Sequence, residues 1–141
     1  MLKKLITAGA LPKGTARKAL AGWTLFLLAL CFIPGRDIPD IDVPMADKWV
    51  HFVLFAVFAF LWPFAFPARR RWVGLLLAFA AAAIFGWLVE ELQGLLAFLG
   101  RSRSVKDILA DAIGGLLGAV IYYLLSLRAT GAEKKKSNLT A

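Results

Sequence analysis

Residues 72–93 read WVGLLLAFAAAAIFGWLVEELQ, and this stretch decides the fold. Its first eighteen residues, Trp72 to Val89, carry no charge and no regular polar face. An α-helix rises about 1.5 Å per residue, so a segment of this length covers the ~30 Å hydrocarbon core of a bilayer. A helix that is apolar on every side belongs in lipid or deep in a large core. The stretch therefore predicts a transmembrane helix. Its last turn departs from the pattern, with Glu90, Glu91 and Gln93 at one end of the span.

Three further apolar blocks flank it, at about residues 20–34, 48–66 and 106–127. The reading is an all-α polytopic membrane protein, a four-transmembrane-helix bundle. Residues 1–18 form an N-terminal segment, 19–128 the membrane domain and 129–141 a polar, disordered tail. The first block is the shortest. It has a basic flank (Arg17, Lys18) but no small-x-small cleavage site after it, so it reads as an uncleaved helix. Leu30 is too large to precede a lipid-modified cysteine, and Cys31 reads as a small buried hydrophobe. Residues 34–47 hold three prolines and four aspartates (Asp37, Asp40, Asp42, Asp47), which predicts an extended outer loop. Residues 67–71 make a tight turn, and residues 1–15 have a weak amphipathic pattern.

Composition agrees. The chain has 141 residues, is 60% hydrophobic and carries a formal net charge of +8. Such hydrophobicity excludes disorder for the bulk of the chain. A single cysteine excludes a disulfide scaffold and a multi-cysteine zinc site. The charge is sorted by side. Lys3, Lys4, Lys13, Arg17, Lys18, Arg69, Arg70, Arg71, Arg128, Lys134, Lys135 and Lys136 fall on one side of a four-span topology. Eight of the nine acids fall on the other, leaving only Glu133 behind. Lys and Arg mark the cytoplasmic side, so both termini are expected there. Trp23, Trp62 and Trp72 fall near the inner boundary, and Trp49 and Trp87 near the outer one, as interfacial belts require. The basic residues are split among three segments with no nucleic-acid reading fold, so no nucleic-acid partner is expected. Membrane lipids are.

Ionisable groups inside spans default to a functional reading. His51 lies 18 residues before Arg69, Glu90 19 after Arg71, and Asp111 17 before Arg128. At helical rise all three stand about 26–28 Å from the basic boundary, in one layer just inside the outer surface. Asp47 and His51 share a helix face, as do Glu90 and Gln93, and Asp107 and Asp111. The last face continues to Gly114 or Gly115 and then Gly118, a small-xxx-small pattern that admits a close neighbouring helix. Gly86 and Gly94 bracket the Glu90 turn in the same way. The candidate site is Asp47, Lys48, His51, Glu90, Gln93, Arg101, Asp107 and Asp111, with Gly114 and Gly118 as packing residues. The competing readings are ordinary: Asp47 and Asp107 as helix caps, Lys48 reaching to headgroups, Arg101, Arg103 and Lys106 as loop charges, and the whole as a structural ion-pair network. His51, Glu90 and Asp111 could hold a divalent metal once folded, but no metal or cofactor is assigned. The aspartates of the outer loop lack the glycine and closing glutamate of a calcium loop. No phosphate-loop, nucleophile-elbow or zinc-protease motif is present.

The ordered set is distinctive: Asp47-Lys48-x-x-His51-Phe52, then Glu90-x-x-Gln93, then Arg101-Ser102 six residues before Asp107, then Asp111, Gly114 and Gly118. Over about residues 35–125 it resembles the VanZ-like family of small bacterial membrane proteins. Asp111 departs from the family pattern, which usually has Asn there. The resemblance implies a cell-envelope protein linked to low-level resistance to teicoplanin-type glycopeptides. Some members carry an acyl- or butyryl-transferase label, but no coenzyme-A site is visible here. Three functions follow as expectations. The first is binding of an envelope lipid headgroup, a lipid-linked cell-wall precursor or a lipoglycopeptide. In that reading Lys48 and Arg101 contact the anion, and Glu90, His51 and Asp111 hold those cations. The second is a membrane hydrolase or transferase with His51 as acid–base. The third is a small proton-coupled transporter, disfavoured because the inner three quarters of each span are apolar. Glycine faces also allow a homo-oligomer.

Overall fold

The computed structural model describes residues 12–34 and 45–139. The loop residues Arg36, Asp37, Asp40 and Asp42 and the amphipathic pattern of residues 1–11 lie outside them. Among the described residues there are four α-helices and no strand: α1 Lys13–Cys31, α2 Ala46–Ala65, α3 Arg71–Leu95 and α4 Val105–Leu139. A short 3-10 turn, Ala97–Leu99, sits between the last two. Three helices are long and apolar enough to cross a membrane: α2, α3 and residues Val105–Ala129 of α4. Their outward surfaces are apolar, including Leu76, Leu77, Ile84, Leu88, Ile113, Leu117 and Leu124, which is the face lipid requires.

Two boundaries differ from the sequence reading. The first helix starts at Lys13, seven residues before the expected span, and stops at Cys31. Pro12 starts it, since its ring fixes a conformation suited to a helix entrance and its carbonyl accepts from Thr15 and Ala16. Lys13, Arg17 and Lys18 then fall inside α1, which keeps it out of the strongly apolar class. The expected disordered tail is instead a continuation of α4 to Leu139. Ala129, Ala132, Glu133 and Lys134 to Lys136 are strong helix formers, so a helix already nucleated by the bundle propagates through them.

α4 is the hub. Gly114 faces the backbone of Phe52 and Gly118 that of Ala56, so α4 and α2 run in the same direction in near-backbone contact. On its other side Gly115 meets Ala82 of α3, where a Cβ would come within 2.6 Å of the Ala82 methyl. α3 answers with small residues one turn apart, Gly74, Ala78, Ala82 and Gly86, all buried. α3 runs opposite to both, since Gly86 meets Asp111 and Ala82 meets Gly115. Small residues on both partners let dispersion contacts replace the hydrophobic drive that lipid abolishes. Large side chains fill what remains: Phe55 and Phe58 of α2 pack against Phe85 of α3, with centroids 5.8 and 5.2 Å apart.

α1 lies along α2 in the opposite direction. Arg17 donates to the Ala65 carbonyl (3.4 Å) and sits over the Phe66 ring at one end. Trp23 Nε1 donates to the Leu54 carbonyl at 2.9 Å midway. The Cys31 carbonyl meets Gln93 at the other end. The helices thus alternate in direction, and the two ends of the bundle differ chemically. Because the Trp23 bond ties α1 to a backbone group, Trp23→Phe is expected to loosen α1 at a cost of about 0.6 kcal/mol, the mean for hydrogen bonds inside membrane proteins. Thermal unfolding in detergent checks it, with cross-linking of α1 to α2 as the local readout.

Candidate functional site

The polar layer assembles at the end of the bundle opposite Arg17 and Arg69 to Arg71. Each member is placed by a packing event below it. Gly114 brings α4 onto Phe52, so Asp111, three residues earlier, stands against His51, one residue before Phe52. Gly86 supplies the room: a Cβ there would lie 2.7 Å from Asp111 Oδ2. Glu90 follows Gly86 by one turn of α3. The three helices therefore converge on three ionisable groups. His51 Nδ1 lies 3.0 Å from Asp111 Oδ1 and 3.8 Å from Glu90 Oε1. Glu90 and Asp111 are both 0% exposed, and His51 is buried. Phe55 and Phe85 lie one turn deeper, so the triad rests on an apolar floor.

Around the triad the remaining candidates take partners of their own. Glu90 Oε2 accepts from the Ser104 backbone N–H at 2.8 Å, which fastens the α3–α4 connection to the site. Gln93 donates to the Cys31 carbonyl at 2.7 Å. Arg101 donates to the Ile33 carbonyl at 2.9 Å and the Leu30 carbonyl at 3.2 Å, holding the frayed end of α1. Lys48 pairs with Asp47 and lies 3.1 Å from Asp107 Oδ1. Arg103 pairs with Glu91 at 2.9 Å on the outside.

The expected pairing is corrected in one respect. Glu90, His51 and Asp111 do not hold Lys48 and Arg101. Lys48 is held by the two rim aspartates, and Arg101 by backbone carbonyls where α1 ends. The reason is depth: the triad lies a turn below the cations, on the inward faces of α2, α3 and α4. The eight candidates still form one neighbourhood. Asp47, Lys48, His51, Gln93, Arg101 and Asp107, with Gly100, Ser102 and Ser104, line a cleft of about 250 Å³. Glu90 and Asp111 lie behind His51, outside that lining.

Ser104, which with Gly100 and Ser102 lines the cleft, is a site residue that sequence reasoning missed. Its hydroxyl accepts from the Asp107 N–H (3.3 Å) and its carbonyl from Asp107 and Ile108, while its own N–H binds Glu90. The signal was there, because Ser104-Val105-Lys106-Asp107 is a capping-box spacing before an apolar run. Three carboxylate oxygens at the site have no hydrogen-bond partner among the described residues: Glu90 Oε1, Asp111 Oδ2 and Asp107 Oδ1, the last having only its ion-pair contact with Lys48. Ligand atoms of His51, Glu90 and Asp111 all lie within 4.8 Å of one another, close enough to meet a common ion.

No curated protein and no solved structure matches the chain. The family model described as VanZ/LLP1 matches residues 11–126, a range that takes in α1, the acidic–histidine triad, the cleft and the glycines that position them. The polytopic helical architecture and this match together place the chain in the VanZ/LLP1 family of membrane proteins.

Proposed function

We propose that this chain is a VanZ-like protein of the bacterial inner membrane that binds the anionic headgroup of an envelope lipid in its outward cleft. By that binding it would contribute to resistance to teicoplanin-type lipoglycopeptides. The supporting observation is the cleft: Lys48 and Arg101 face a space of about 250 Å³ with Ser102 and Ser104, where the apolar surface ends. Cations and hydroxyls at that depth suit a phosphate or carboxylate, since charge-assisted hydrogen bonds are the strong ones. The aspartates beside Lys48 hold it in place. A lipid-linked precursor and a lipoglycopeptide share this chemistry.

The proposed topology has four spans with both termini cytoplasmic. Its support is that α1 accompanies α2 from the Ala65 end to the Gln93 end, although its basic first turns lower its hydropathy. The positive charges at the Arg17 and Arg71 end and the acids at the other end support the orientation. The domain limits at 18–19 and 128–129 mark where lipid-facing sequence begins and ends.

The test uses the full chain in nanodiscs loaded with a polyprenyl phosphate, with a zwitterionic phospholipid as the neutral arm. Retained lipid is read by native mass spectrometry. Lys48→Met and Arg101→Gln are each expected to lower phosphate-lipid retention about tenfold, the loss of one charge-assisted contact at ~1.4 kcal/mol. A teicoplanin susceptibility assay in cells expressing the same variants tests the resistance arm. Equal retention by the double variant, with unchanged susceptibility, would sink the reading.

One observation favours a second reading. A histidine fixed by a carboxylate at 3.0 Å, at the cleft floor, is the arrangement of a general base. Turnover of a polyprenyl-linked substrate by purified protein, lost in His51→Gln, would select it.

A further inference from the structure

Among the described residues, the charge at the floor of the cleft does not balance. Glu90 and Asp111 are fully buried carboxylates facing one imidazole. Lys48 is engaged by Asp47 and Asp107, and Arg101 by two carbonyls. Even with His51 protonated, one negative charge stays uncompensated in a low-dielectric interior, where an unpaired buried charge costs several kcal/mol. Protonating one carboxyl would balance the charge but leave a buried O–H without an acceptor, because Glu90 Oε1 and Asp111 Oδ2 have no hydrogen-bond partner among the described residues. Two buried, unpartnered oxygens beside an imidazole nitrogen form a donor set in search of a cation.

We infer that His51, Glu90 and Asp111 form a binding site for one divalent transition-metal ion. The charge then closes: a neutral imidazole, two carboxylates and a 2+ ion sum to zero. The geometry is near to that required. Ligands at ~2.1 Å from a common ion stand about 3 Å apart when adjacent and about 4.2 Å when opposite in an octahedral shell, and about 3.4 Å apart in a tetrahedral one. His51 Nδ1 stands 3.0 Å from Asp111 Oδ1, a hydrogen bond that the ion would replace, and 3.8 Å from Glu90 Oε1, and one ligand atom of each residue lies within 4.8 Å of the others, so contraction by tenths of an ångström suffices once that bond gives way. One nitrogen with carboxylate oxygens suits Mn²⁺, Fe²⁺ or Zn²⁺ better than a thiolate-seeking ion. Outer contacts of the kind that metal ligands need are in place, since Glu90 Oε2 is oriented by the Ser104 N–H and the Asp111 side chain is confined by Gly86. His51 also lines the cleft, which gives the ion an entry path. The inference goes beyond headgroup binding and does not depend on it.

The experiment uses the full-length chain, purified in detergent with any affinity tag removed and stripped with a chelator. Mn²⁺ and Zn²⁺ are added separately. Bound metal is measured after desalting, and the midpoint of thermal unfolding is followed against metal concentration. One ion per chain is expected, with a midpoint that rises as metal is added. His51→Gln, Glu90→Gln and Asp111→Asn are near-isosteric and are each expected to weaken binding at least tenfold. Glu91→Gln, on the outer surface, is expected to bind as the parent does. The inference is overturned if the parent chain retains neither ion at 1 mM. It is equally overturned if the folded variants among the three retain metal as the parent does. Should one variant fail to fold, the parent and the other two still decide.

Discussion

Gly118→Leu is expected to destabilise the bundle strongly. A Cβ at Gly118 would overlap the carbonyl oxygen of Ala56, and one at Gly114 would overlap that of Phe52. Both neighbours are backbone, which cannot rotate aside as a side chain can. Overpacking a core usually costs about 1–3 kcal/mol through side-chain and backbone shifts, and a rigid obstacle puts this case at the upper end or beyond. α4 would have to move away from α2, and with it Asp111 from His51. The expected result is a drop of ~10 °C or more in the detergent unfolding midpoint for Gly118→Leu, and a smaller one for Gly114→Ala. Gly22→Ala is the control. Nothing lies within 4 Å of the position its Cβ would take, and alanine favours the helix, so its midpoint should stay equal or rise. A Gly118→Leu protein as stable as the parent would refute the close α2–α4 packing.

The second large effect is a contrast at one residue. Glu90→Ala removes the acceptor of the Ser104 N–H and leaves a fully buried void. An orphaned donor costs about 1–3 kcal/mol, and the cavity adds to it. The α3–α4 connection loses its anchor, so residues 96–104 should become sensitive to protease. Glu90→Gln keeps an acceptor oxygen and the volume while deleting the charge. It relieves repulsion from Asp111, so this variant should be as stable as the parent or more so. Yet it should fail to bind the metal ion inferred above. A protein that gains stability while losing binding has been carrying its charge for binding. If Glu90→Gln is instead destabilised as much as Glu90→Ala, the triad is a structural ion-pair network and the functional reading fails.

Much of this was legible before folding because the bilayer restricts the choices. Lipid offers no hydrogen bonds, so an uninterrupted apolar run such as Trp72–Val89 must be a helix. Helical spacing then fixes which residues share a face, and the rise per residue puts His51, Glu90 and Asp111 at one depth. Their meeting is a consequence of that arithmetic together with the glycine face of α4. The ends of the helices were less legible. Pro12 starts α1 earlier than hydropathy suggests, and the tail continues as helix because helix propensity, not hydropathy, governs residues 129–139.

The sequence by itself determined the helical membrane class, the VanZ-like pattern and the membership of the polar layer, since each follows from local period, length and charge. Only the tertiary structure decided who pairs with whom. A side chain's depth can be counted, but its azimuth relative to three neighbours depends on how closely those helices approach. Gly114 and Gly118 set that approach on α2, and Gly115 and Gly86 set it on α3. At that spacing Asp111 reaches His51, Glu90 reaches Ser104, and Lys48 and Arg101 are left a turn above at the rim. Separation by a single helical turn divides one mixed-charge layer into a cleft lined by paired charges and an acidic floor beneath it.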